Sequence, residues 1–147
     1  MVLIKKLLPS ELDEFSQLVR LFTSESSARN YSYKTENHLE SFLQNQKNHV
    51  VVASVNNTVI GGLTAYEIEM YKKETSEIFL FEIEVKEEYR QQGVGSLLIH
   101  KLKDICKQRS IQQIFVLTSR NNDSALKLYN STGGVADNES ILFNYLL

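Results

Sequence analysis

Apolar residues recur along this chain in two rhythms, and their alternation sets the predicted order of elements. Residues 2–7 read as an opening strand. After Pro9, Ser10 and Glu11 mark a helix start, and Leu12, Phe15, Leu18, Val19 and Phe22 follow at helical spacing. Thr23 to Lys34 is polar and reads as loop, and a short helix is expected over 36–44. Val50-Val51-Val52-Ala53 is a buried strand by its unbroken apolar run, Asn56-Asn57 a hairpin turn, and 59–70 the return strand. In the strand at 76–85, Phe79, Phe81, Ile83 and Val85 alternate on one face. The other face then carries Ile78, Leu80, Glu82 and Glu84, an apolar row interrupted by two carboxylates. Val94, Leu97, Leu98, Leu102, Ile105 and Cys106 form the stripe of a well-marked helix. A short strand at 114–117, a helix at 122–130 and a closing strand at 141–147 complete the pattern. This order predicts an α+β (α/β) fold, with a mixed, mostly antiparallel central sheet flanked by helices.

Composition narrows the class without changing the picture. A chain of 147 residues fits one domain, 1–147, with no repeat or linker to divide it. Its 42% hydrophobic and 23% charged residues are those of an ordinary globular protein. The net charge is -2 and the 16 Lys and Arg residues are scattered, so no basic face for nucleic acid is expected. Cys106 is the only cysteine, which excludes an internal disulfide and a thiolate metal cluster. Without a leader-like or membrane-length apolar run, the expectation is a cytoplasmic protein with no membrane partner.

The candidate chemistry sits between the strand ending at Val85 and the helix beginning after Gly93. A helix start leaves about four amide N–H groups without internal partners and carries about half a positive charge, so it accepts an anion. Glycines at 93 and 95 remove the side chains that would obstruct a diphosphate, and no Ser, Thr, Asp or Asn stands just before Gly93 to compete as a cap. Spacing excludes other phosphate loops. No Lys with a following Ser or Thr succeeds the last glycine, as a nucleotide-hydrolase loop requires, and the third glycine and later acidic residue of a dinucleotide fold are missing.

Arg90-x-x-Gly93-x-Gly95, following a strand with an apolar end, resembles the acyl-CoA signature of the GNAT superfamily of N-acetyltransferases. Asn122, Ala125, Leu128, Tyr129 and Gly133 resemble a second segment of that superfamily. Gly61-Gly62-Leu63-Thr64-Ala65-Tyr66, Ser76-Glu77-Ile78 and Phe81-Glu82-Ile83-Glu84-Val85 are similar to the central region of aminoglycoside 3-N-acetyltransferases, over roughly residues 50 to 133. The resemblance implies acetyl-CoA as co-substrate, no metal, an amine acceptor and, as a lean, a homodimer. It also implies that the strand through Val85 splays from the strand at 114–117 and admits the pantetheine arm. The Val85 backbone would contact that arm, Arg90 heads the cofactor segment, and the N–H groups of Gln91, Gln92, Gly93, Val94, Gly95 and Ser96 would bind the pyrophosphate.

An alkylammonium ion has a pKa of about 10.4, so losing its proton at neutral pH costs roughly 4 to 5 kcal/mol unless a base assists. By the resemblance, Glu82 is that base, directly or through a water; a face simply reaching solvent is the plain alternative. Tyr129, whose phenol pKa is about 10, is the implied acid for the departing thiolate, against a packed aromatic with a satisfied hydroxyl. Asn122 would position the arm, and helix capping is an equally good account. Tyr31-Ser32-Tyr33 falls where the family builds its acceptor wall, while Asp137 and Glu139 are acidic turn residues that would attract a polycation. His38, His49 and His100 lack metal-ligand spacing and read as structural or surface residues, with Cys106 as core. Glu84, where the aminoglycoside enzymes carry a small apolar residue, and Asn144, near a position often acidic there, are departures that bear on the acceptor. Three activities stay open: a small-amine acetyltransferase, a peptide or lysine acetyltransferase, and a CoA-binding regulatory module without turnover.

Overall fold

The computed structural model describes residues 1–25 and 36–147. They form two compact units, Met1–Leu117 and Thr118–Leu147. In the first unit five strands lie in chain order: β1 (Leu3–Lys6), β2 (Asn48–Val55), β3 (Thr58–Glu69), β4 (Ser76–Val85) and β5 (Ile114–Val116). Neighbours are antiparallel except β4 and β5, which run parallel. Helices α1 (Leu12–Glu25), α2 (Glu36–Gln44) and α3 (Val94–Gln108) belong to the same unit. Between β2 and β3, Asn56 and Asn57 have φ of 47° and 62°, the left-handed pair that a two-residue hairpin requires and that asparagine tolerates.

Pairing and alternation divide the core. Val50 and Val52 of β2 pack with Leu18, Phe15 and Phe22 of α1 and Leu43 of α2. Their neighbours Val51 and Ala53 point the other way, as do Leu63 and Ala65 of β3, and all four are fully buried. That second face receives α3 through Val94, Leu98, Leu102 and Ile105. Gly62 makes the α1 contact possible, because a Cβ there would lie 2.7 Å from Leu18 Cδ1 and 2.6 Å from the Val51 carbonyl.

Helix α1 runs through Thr23, Ser24 and Glu25, three residues expected in loop. The hydroxyls of Thr23 and Ser24 fold back onto the carbonyls of Val19 and Leu21, which satisfies them within the helix. The second unit holds α4 (Asp123–Ser131). Gly133, at φ 92°, ends it: the Gly133 and Gly134 amides donate to the Asn130 and Tyr129 carbonyls. The expected closing strand is absent. Residues 141–147 are irregular and exposed along their whole length, with no sheet partner for their backbone. Among the described residues no helix is long and apolar enough to cross a membrane.

Candidate functional site

β4 and β5 pair only at Ile78, Phe79 and Leu80, opposite Ile114, Phe115 and Val116. β4 then continues five residues to Val85 with no paired strand on that side among the described residues. The register on its other side shows how β4 turns away. Thr64 faces Glu82, whereas the adjacent Ala65 faces Leu80, so Phe81 is an extra residue bulged out of the ladder.

The bulge corrects the face assignment made from strict alternation. Ile78 and Leu80, both buried, share a face with the half-buried Ile83 and Val85, which pair with Leu63 and Gly61. Glu82 and Glu84 pair with Thr64 and Gly62 and so belong to the opposite, α1-facing side, with Phe79 and Tyr66. Aromatic rings pave that side: Phe81 meets Tyr66 at 5.7 Å and Phe79 at 5.8 Å, Tyr66 meets Phe42 at 5.8 Å, and Phe79 stacks on Phe115 at 4.9 Å. Glu82 opens to solvent. The surrounding protein nonetheless withholds enough water to raise its carboxyl pKa, and the neighbouring charge of Glu84 adds to the rise. The Tyr66 phenol is raised too, by burial and by Glu82.

After Val85 the chain makes a single 3₁₀ turn, Glu87–Tyr89, and reaches the glycine segment. Gln91 at φ 58° and Gly93 at φ 84° are both left-handed. Among the described residues, no amide from Gln91 to Ser96 makes a hydrogen bond of normal geometry to another residue. The first bond of α3 is Leu97 N–H to the Gly93 carbonyl, at 3.0 Å. Gly93 has no side-chain cap over it, and a Cβ added there would meet nothing within 4 Å. Unpaired donors beside the open space at Gly93 fit a diphosphate, so the residues present suit the donor that the sequence implies.

Arg90 folds back from this segment. Its Nε donates to the Val85 carbonyl at 2.7 Å and its Nη2 to Glu84 Oε1 at 2.9 Å, while the Val85 N–H donates to the same oxygen at 3.3 Å. Both Val85 backbone groups are therefore engaged by the chain's own side chains. A donor arm reading Val85 would exchange with them.

Asn122 and Tyr129 lie in the second unit. Asn122 caps α4, its Oδ1 accepting from the Ala125 amide at 3.1 Å. Tyr129 is half-buried near the end of α4, and its carbonyl accepts from Gly134 N–H at 2.8 Å. Asp137 serves its own turn, accepting from the Glu139 and Ser140 amides and the Ser140 hydroxyl, contacts that lower its pKa. Tyr31, Ser32 and Tyr33 fall outside the described residues.

His49, expected to be structural or at the surface, is structural, and its partners escaped the sequence reading. His49 is fully buried, with Nε2 3.2 Å from Glu67 Oε2, and Arg109 Nε donates to that same oxygen at 2.7 Å. The only local signal is a histidine abutting the apolar run at 50–53; β2, β3 and the end of α3 must be assembled before the trio exists. His100, on the exposed side of α3, contacts the Ser96 carbonyl through Nδ1 at 2.6 Å. Cys106 is buried, and burial raises its pKa. Among the described residues no cluster of His, Cys, Asp or Glu suits a metal ion.

Comparison with known proteins agrees with this geometry. Residues 13–133 match the Acetyltransferase (GNAT) family. An aminoglycoside acetyltransferase from an uncultured soil metagenomic sample, solved with trehalose, superposes with a TM-score of 0.94 at 30% identity, covering 99% of this chain and 96% of that one. Its complex with sisomicin gives a TM-score of 0.93 at 29% identity, with the same coverage. N-alpha-acetyltransferase 30 of Xenopus laevis is 29% identical over 138 residues, 94% of this chain but 48% of the relative. The chain thus spans about half the length, or less, of the curated relatives it matches.

Proposed function

Since the chain belongs to the acetyltransferase (GNAT) family, we propose that it moves the acetyl group of acetyl-CoA to a primary amine of a small, cationic acceptor by direct attack. The donor supplies an activated thioester, and the chain supplies placement and proton traffic. The observation that carries the reading is the run of unpaired amides from Gln91 to Ser96 at the head of α3. Those amides hold the diphosphate, and the unpaired side of β4 beyond Leu80 receives the extended arm as an added strand would be received.

Glu82 accepts the proton of the acceptor's ammonium group, directly or through a water. Its raised pKa makes it a better base than an ordinary carboxylate. Tyr129 returns a proton to the departing thiolate, and Asn122, already the α4 cap, fixes the start of the helix that carries Tyr129. Glu82 and Glu84 beside the ring surface of Phe81, Tyr66 and Phe79 favour a cation over a neutral or acidic acceptor. The aminoglycoside-acetylating relative supports a polyamine-like acceptor. A peptide N-terminus is the second reading, supported by N-alpha-acetyltransferase 30, which matches over 94% of this chain.

A free-thiol assay with acetyl-CoA against aminoglycosides, linear polyamines and short peptides separates them. Thiol release with aminoglycosides or polyamines supports the first reading, and release with peptides alone supports the second. Tight acetyl-CoA binding with no release for any amine defeats both, and leaves a CoA-binding module without turnover.

A further inference from the structure

Building on the proposed acetyl-CoA site, we propose that Glu84 and Arg90 form a latch over the edge of Val85, which the donor must open to bind, so that Glu84 sets the donor affinity of this chain. The Lys86 N–H donates to the Ile60 carbonyl at 2.8 Å, so residue 86 turns its backbone groups toward β3. Backbone groups alternate sides along a strand. Those of Val85 therefore face away from β3, toward the side on which β5 pairs earlier along β4. An added strand would use these two groups, and both are occupied. Arg90 Nε donates to the Val85 carbonyl at 2.7 Å, Arg90 Nη2 donates to Glu84 Oε1 at 2.9 Å, and the same oxygen accepts the Val85 N–H at 3.3 Å. The 3₁₀ turn Glu87–Tyr89 makes this closure local, since it returns Arg90 to the strand the chain has just left.

The strand itself has no room to step aside. Gly61 pairs with Val85, and a Cβ on Gly61 would lie 2.8 Å from the Glu84 carbonyl, so β3 and β4 are already in close contact there. The side chains are the movable part: those of Arg90 and Glu84 are 38% and 33% exposed, and water can take over their charges on release. A partly exposed ion pair and one further hydrogen bond together cost an incoming donor roughly 3- to 30-fold in affinity. An open strand edge also invites pairing with any other strand, and the latch keeps this one filled until the donor arrives.

The test is calorimetric titration of the full chain with acetyl-CoA, the parent against Glu84→Ala and Arg90→Lys. Glu84→Ala removes the carboxylate. Arg90→Lys keeps the charge, but an ammonium group lacks the two adjacent N–H donors that span carbonyl and carboxylate. Both variants are expected to bind acetyl-CoA more tightly than the parent, by the factor above. In ¹H–¹⁵N spectra the Arg90 Nε–H, assigned by its loss in Arg90→Lys, is expected to exchange slowly with water in the free parent and quickly once acetyl-CoA saturates it. Tighter binding in one variant alone overturns the latch; in Glu84→Ala alone it would report only the loss of a negative charge near the donor's phosphates. Unchanged or weaker binding in both, or an Nε–H still protected with the donor bound, overturns the latch and leaves the donor site standing. A parent that does not bind acetyl-CoA defeats the donor site and the latch together.

Discussion

Replacing Gly93 with leucine separates the two reasons a glycine can stand there. Gly93 is held at φ 84°, where an L residue is strained by about 1–2 kcal/mol. In a domain of this size each kcal/mol lowers the melting temperature by about 2–4 °C, so Gly93→Leu should melt roughly 2–8 °C below the parent. Steric cost adds little, because a Cβ at this position meets nothing within 4 Å. That same open space is where the diphosphate must come to reach the amides at 91–96. Hydrogen bonds to a charged group are worth about 1.5–3 kcal/mol each, so denying the ligand two of them costs about 3–6 kcal/mol, or 10²- to 10⁴-fold in Kd.

Calorimetric titration with acetyl-CoA, paired with a thermal melt, reads both quantities on one sample. Gly93→Ala is the graded control: it carries the same backbone strain with a much smaller intrusion, so its melt should match that of Gly93→Leu while its affinity falls less. The refuting result is specific. If Gly93→Leu melts lower as calculated but binds acetyl-CoA with the parent's Kd, Gly93 serves only the turn, and the anion site is elsewhere.

Three further outcomes follow from the site and its surroundings. Tyr129→Phe should lower kcat by about 10²-fold or more with the acetyl-CoA affinity intact, and full turnover in that variant removes the proposed acid. Glu84→Gln removes the charge that helps hold the Glu82 carboxyl above its ordinary value, so the acidic limb of kcat/KM, measured at saturating acetyl-CoA, should move to lower pH; a limb that stays put uncouples the two carboxylates. Acid should destabilise the fold in two stages. Burial, aided by the charge of Lys6, depresses the His49 pKa below 6.5, so stability present above that pH is lost as pH falls toward the lower folded value, by at most about 1.4 kcal/mol per pH unit for one proton. Glu67 is depressed below 4.5, because hydrogen bonds from Arg109, His49 and Ser76 outweigh a burial effect that pushes upward, and it extends the loss below pH 4.5. His49→Leu, which leaves Glu67 with Arg109, should flatten the first stage in urea titrations at pH 7.5, 6 and 5; an unchanged pH dependence removes His49 as its source.

What could be read from the chain and what could not divide along a physical line. Backbone-borne features were legible, since they are written in local residue types. Paired asparagines mark the hairpin, and the glycines at 93 and 95 announce bare amides at the head of α3. The stripe Val94, Leu98, Leu102, Ile105 fixes which side of that helix is buried. Features that depend on a partner element were not legible. Nothing local to Phe81 signals a bulge, because a bulge is a mismatch between β4 and β3 and exists only once their register is set by the hairpin and by the buried rows on either side. Residues 141–147 have strand composition, but composition supplies no pairing edge, and the segment stays irregular without one.

The bulge also decides which side of the sheet Glu82 and Glu84 occupy. Strict alternation would set Glu82 and Glu84 with Ile78 and Leu80, under α3, where two carboxylates would meet an apolar core and lose their hydration. One extra residue at Phe81 moves both to the side that holds Thr64, Tyr66 and the aromatic surface, and leaves Ile83 and Val85 to continue the core row. It coincides with the point where the pairing of β4 with β5 ends. On the proposed reading, donor recognition rests on amides that glycines at the right spacing leave accessible. On the same proposal, acceptor recognition rests on side chains displaced by a defect in the ladder.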